Sequence, residues 1–157
     1  MKIESLRLTV ESDELEAALK CIAMPQNVRI RGAHFEPEEL VIDLSLLLPL
    51  PLYPSVHVSV VQAAGPTVCL QVSTPIMAGM VDLFMSNVTA SLPDGVAYLG
   101  KGIMSLDIPV LAGGTISSID IGGIQFCEGH ATVAVDEIDL DILALPQLNP
   151  VNRDGSV

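Results

Sequence analysis

Cys127 and His130 stand three positions apart in Cys127-Glu128-Gly129-His130, a spacing at which a thiol and an imidazole could pair as nucleophile and base, or begin a metal site. A structural zinc needs four such ligands, and no second cluster accompanies this one. Gly129 gives the motif the composition of a hairpin turn, and turn geometry by itself explains the spacing. His57 and Cys69 fall on the polar side of two neighbouring strand-like runs, where solvent exposure accounts for both. Asp136, Glu137, Asp139 and Asp141 form the densest carboxylate group. They lack the glycine and spacing of a calcium loop, and acids along a strand guard a sheet edge against aggregation. The glycines of GGTISS (113–118) and IGG (121–123) precede no predicted helix and no lysine follows them, so neither reads as a phosphate loop. Residue chemistry therefore assigns no catalytic residue, no metal ligand and no cofactor, and it points away from an enzyme.

What remains is apolar surface. In LSLLLPLPLYP (44–54), Pro49 and Pro51 are expected to stop the strand from pairing normally, which leaves Leu47, Leu48, Leu50 and Leu52 outside an ordinary ladder. PIMAGMVDLFM (75–85) is rich in methionine, a side chain that fills irregular space and adapts to variable partners. Together these segments nominate Leu47, Leu50, Leu52, Met77, Met80, Val81 and Phe84, with Met104, as a hydrophobic ligand-binding set.

Composition bounds the possibilities. The chain has 157 residues, which suits a single β-rich domain over 1–145 with a flexible tail over 146–157. Half the residues are hydrophobic, aromatics are 3% and tryptophan is absent, so the core must be aliphatic. Nineteen acidic residues against seven basic ones give a net charge of −12, which argues against nucleic acid or an anionic membrane as a partner held by bulk electrostatics. No run reaches the roughly 18 apolar residues of a spanning helix, and no transmembrane segment is expected. The N-terminal residues carry charges throughout and no signal-peptide core, so the chain as given reads as cytoplasmic, or as envelope-associated if a leader has been removed. Three scattered cysteines make a disulfide framework improbable.

Periodicity supplies the elements that must position these residues. LRLTV (6–10) alternates as a strand, and Ser12 and Asp13 offer caps for a helix whose apolar positions Leu15, Ala18, Leu19 and Ile22 recur at helical spacing before Pro25. Strands follow around Val28–Ile30 and Leu40–Leu46, then a hairpin of SVHVSV (55–60) and TVCLQVS (67–73). Residues 75–91 form the second helical candidate, with Pro75 in its first turn. Strands are expected at 96–99, 103–108, 115–121, 123–127 and 130–142, the last with a bulge near Asp136-Glu137 that brings Ile138 onto the face of Val135. The sum is an α+β fold, mostly antiparallel β, with a curved sheet of about seven to nine strands and two helices at about 13–23 and 75–91.

Residues 30–44 (IRGAHFEPEELVIDL) can be laid without a gap over 121–135 (IGGIQFCEGHATVAV), matching Ile30 with Ile121, Gly32 with Gly123 and Phe35 with Phe126. Each segment reads as strand, turn, strand, so a duplication would place two equivalent β units around one aliphatic interior. The order of elements also resembles that of the bacterial tubular lipid-binding (TULIP-like) domains, which include the YceB-like lipoproteins and a mycobacterial phospholipid-binding envelope family. The segments that carry the resemblance are SDELEAALK, the VRIRG end of a strand, the break LLLPLPLYP, the hairpin, the middle helix and the closing IDIGGIQFCEGHATVAV. It implies a curved sheet wrapped on a helix, with an elongated channel for an acyl chain. Two functions follow as expectations: non-enzymatic binding of a lipid or other apolar small molecule, or an interaction module whose apolar face is buried in a homodimer or against a protein partner.

Overall fold

The structure, a computed structural model, describes residues 1–22, 24–74 and 92–144. Among them run β1 (Lys2–Glu11), α1 (Ser12–Lys20), β2 (Val28–Glu36), β3 (Glu39–Leu48), β4 (Leu50–Leu52), β5 (Ser55–Ala64), β6 (Thr67–Ser73), β7 (Val96–Gly100), β8 (Ile103–Asp107), the single turn α2 (Ile108–Leu111), β9 (Ile116–Cys127) and β10 (His130–Leu140). The fold is α+β and every strand pair is antiparallel, as the alternation predicts. The strands divide between two sheets. One has the order β1-β10-β9, and the other has β2-β3-β5-β6-β8-β7 with β4 beside β3. The predicted helix over 75–91 and the tail over 146–157 lie outside the described residues.

α1 begins at Ser12, and Glu14 turns its carboxylate back to the Glu11 N–H at 3.0 Å. Ser12 does not cap the helix. Its Oγ accepts from the Phe35 N–H at 3.0 Å, while the Glu16 carboxylate accepts from the Ala33 backbone. β2 has a strand neighbour on one side only, so α1 supplies side-chain acceptors to its other edge, which would otherwise offer a row of free donors. Leu15 and Leu19 meanwhile pack on the core of Ala33, Phe35, Leu40, Val58 and Ala131. α2 was not foreseen from the alternation; Asp107 caps it by accepting from the Val110 N–H at 3.2 Å, and Pro109 fits its first turn.

The two similar segments fold alike. In β2–β3 the turn closes with Glu36 opposite Glu39, and in β9–β10 with Cys127 opposite His130, at matching positions. Arg31 is the extra residue that shifts the first ladder between Ile30 and Gly32; Gly122 does the same in the second, between Ile121 and Gly123. Glu38 and Gly129, again matching, both take left-handed backbone, with φ of 73° and 82°. The turns then clasp one another. The Glu38 N–H donates to the Phe126 carbonyl at 3.3 Å, and the Gly129 N–H donates to the Phe35 carbonyl at 3.0 Å. Between them the Phe35 and Phe126 rings stand 5.4 Å apart, tilted by 40°. A local two-fold relation thus joins the sheets at the core. The expected bulge in the last strand is present at Asp136, facing Gly122, and it leaves Val135 and Ile138 both buried.

The prolines do not end the ladder at Leu47. β3 continues to Leu48, turns at Pro49, and returns as β4 with Leu46 opposite Leu52 and Leu47 opposite Pro51. The Leu47 N–H donates away from β4, to the Asn27 carbonyl at 2.9 Å. Its partner Pro51 therefore sits where a strand N–H would face the open side, and the missing donor costs nothing. After Tyr53 and Pro54, β5 takes over the same edge of β3 at Ser55 opposite Asp43.

Candidate functional site

The groups nominated for chemistry are placed apart, each with structural work. Cys127 and His130 face one another across the β9–β10 turn, whose Gly129 carbonyl accepts from the Ser12 N–H at 3.0 Å. The motif is a clasp between α1 and the two hairpins. His57 pairs with Glu39 at 3.0 Å and lies opposite Ser73, whereas Cys69 lies opposite Gln62 and Ser105, so the two do not meet. Among the described residues, no group of three or more His, Cys, Asp or Glu side chains could hold a metal ion.

The carboxylates of β10 are likewise dispersed. Glu137 holds the Lys2 ammonium at 2.9 Å, and that hydrogen bond is the main reason the Lys2 pKa is raised above the usual lysine range. Asp139 lies 3.3 Å from the Met1 ammonium, Asp141 accepts from the Leu143 N–H at 3.0 Å, and Asp136 packs over Gly122. β10 is the central strand of its sheet, paired with β1 and β9, so contrary to expectation these acids guard no edge, and they share no common focus.

The outer face of the three-stranded sheet carries a shallow depression of about 270 Å³, lined by Arg7, Gly123, Ile124, Gln125, Thr132 and Ala134. A Cβ on Gly123 would meet nothing within 4 Å. The floor is small and the rim polar, a surface dent rather than an apolar chamber.

The apolar candidates have a clearer location. Leu47, Leu50 and Leu52 occupy the tip of the β3–β4 hairpin, with Leu47 64% exposed, Leu50 71% exposed and Tyr53 beside them 60% exposed. Because side chains alternate along a strand, Leu46, Leu50 and Leu52 share one face, while Leu47 and Pro51 share the other. Both faces of the tip are apolar, so packing one against the protein still leaves the other uncovered. Arg31 lies at its base, with its guanidinium 4.9 Å from the Tyr53 ring centre and its Nε donating to the Leu44 carbonyl at 3.3 Å.

Met104 is half-buried on β8, opposite Leu70 and Tyr98, and the strands β5 and β6 separate it from β3. The structure thus groups Leu47, Leu50 and Leu52 and holds Met104 away from them. Met77, Met80, Val81 and Phe84 lie outside the described residues. The sequence reading missed Tyr53 and Arg31 as neighbours of the leucines; Tyr53 closes the same uncharged run, and Arg31 could be placed only once its bulge was known. Against protein-family models, curated proteins and solved structures the chain has no match.

Proposed function

We propose that this protein binds a lipid or another apolar molecule without chemical catalysis, through aliphatic area rather than ionisable groups. The observation that carries the reading is the incomplete burial of the seven-stranded sheet's aliphatic face. Ile42, Val56, Leu70 and Val72 pack at the margin of the core and stay half-buried, and no side chain among the described residues is enclosed completely. An acyl chain laid along such a face gains about 25 cal/mol for each Å² of apolar surface removed from water. The aliphatic composition suits this, since flexible side chains adapt to a flexible ligand.

Native mass spectrometry of gently purified protein, followed by organic extraction, tests the reading. Bound lipid that leaves on extraction is the expected result. A clean dimer without lipid favours the alternative, an interaction module, for which the exposed leucines of the β3–β4 tip are the supporting observation.

A further inference from the structure

We infer that the β3–β4 tip docks the protein onto a phospholipid bilayer, with Leu47, Leu50 and Leu52 entering the acyl boundary and Arg29 and Arg31 facing lipid phosphates. This inference stands apart from the binding of a single ligand along the sheet.

Charge distribution carries the argument. The chain has a net charge of −12, yet residues 21–31 and 44–56 contain Arg29 and Arg31 and no acidic residue. The structure brings these stretches together: Val28 lies opposite Leu46, and the Leu47 N–H reaches the Asn27 carbonyl at 2.9 Å. Both arginines are exposed and neither forms an ion pair among the described residues. Ile22 and Met24, in the same acid-free stretch before β2, are also exposed. Glu36, Glu38 and Glu39 sit at the opposite end of the same strands. At about 3.3 Å per residue, β3 holds them roughly 30 Å from the tip. That is several Debye lengths at about 8 Å each. The nearest carboxylates, Asp43 and Glu16, flank Gly32 beside Arg31 and are already engaged, Asp43 by the Ser55 hydroxyl at 2.6 Å and Glu16 by the Lys20 ammonium. The two unpaired arginines and the leucines therefore govern close contact at this end.

The side-chain types match the depth profile of a bilayer surface. Leucines favour the acyl region, tyrosine favours the interface, and arginine at the base reaches the phosphates. A hairpin with apolar side chains on both faces suits surroundings that are apolar on both sides, whereas a protein groove usually covers one.

Flotation of the purified protein with vesicles tests this, using phosphatidylcholine alone and phosphatidylcholine mixed with phosphatidylglycerol. The protein should float with both. Combining Leu47→Ser with Leu50→Ser should lower the bound fraction about tenfold or more. Combining Arg29→Gln with Arg31→Gln should weaken binding to the mixed vesicles by roughly fivefold per arginine, and binding to phosphatidylcholine, whose phosphate is offset by choline, by clearly less. The substituted leucines are exposed, so the urea midpoint of their variant should match the parent. Leu50→Trp places a single indole at the tip of a chain without tryptophan, and its emission should shift to the blue on adding vesicles.

A parent protein that stays unbound to both vesicle types overturns the proposal, as does a leucine variant that floats equally well. A dimer that the leucine variant dissociates, with no flotation, overturns it in favour of a second copy as occupant. Lipid extracted from the purified protein is scored separately. An empty sheet face leaves docking standing, and failed flotation leaves the ligand reading standing.

Discussion

The β2–β3 and β9–β10 hairpins share a turn register, a bulge and a left-handed residue, and then part company. Beyond Leu44 the first continues into leucines and a projecting apolar tip, while beyond Val135 the second continues into Asp136, Glu137, Asp139 and Asp141. Up to that point the backbone is constrained by the clasp of Phe35, Glu38, Phe126 and Gly129. After it the side chains differ: one hairpin carries acids along a central strand, while the other ends in an exposed apolar arm. The contrast separates what holds the fold from what meets the outside.

The sharpest way to break the comparison is to empty its centre. Phe35 is 5% exposed and Phe126 is half-buried, so the two should not be equivalent. Phe35→Ala should cost about 3–5 kcal/mol, and Phe126→Ala about 2 kcal/mol because part of its ring already meets solvent. Urea denaturation of the two variants measures this; equal losses would mean that the two-fold relation, rather than burial, sets their energetics.

The left-handed pair gives a smaller, signed test. Gly129→Ala should destabilise by about 1–2 kcal/mol, since a Cβ is strained at positive φ. Glu38→Gly should stabilise by up to about 1 kcal/mol, because the same strain is already present there and glycine removes it. A loss of stability in Glu38→Gly would show that the glutamate side chain contributes more than its backbone costs.

The smallest expected effect is electrostatic and of opposite sign on the two sides. Beside the first hairpin, the Lys20 hydrogen bond lowers the Glu16 pKa, with the Ala33 backbone adding to it. That contribution is present above the ordinary carboxylate range and fades as pH falls through the lowered value. Beside the second, the Glu137 hydrogen bond raises the Lys2 pKa, so its contribution is present below the ordinary lysine range and fades as pH rises through the raised value. Lys2 is exposed and Glu16 is only partly covered, so both effects should be slight. Urea midpoints followed across pH should show Glu16→Gln flattening the acid limb and Lys2→Met the alkaline limb.

Much of the fold was legible because strands announce themselves by alternation. The bulge at Asp136 could be read from the break in the Val133, Val135, Ile138 pattern, and the paired hairpins from Gly32, Phe35 and their counterparts. The division into two sheets was not legible, since alternation marks a strand without naming its neighbour. Nor was the route of Pro51 through the ladder. Whether proline breaks a strand depends on which way its absent N–H would point, and that is decided by Leu47 donating to Asn27. Ser12 misled for a related reason: a residue with capping chemistry was claimed by the edge of β2. At the candidate site, the leucines were visible as an excess of apolar residues beside prolines. Their separation from Met104 was not, because it follows from strand order.

The pairing of β1 with β10 has a consequence for how the molecule is made. Leu8 lies opposite Val133, so β1 leaves the ribosome more than a hundred residues before the strand it pairs with. At about 5–20 residues per second, that wait is on the order of ten seconds. Throughout it, β1 is a ten-residue segment with both edges unpaired. Lys2, Glu4, Arg7 and Glu11, which look unremarkable on the finished surface, space charge along that segment and keep it from seeking a partner in a neighbouring nascent chain.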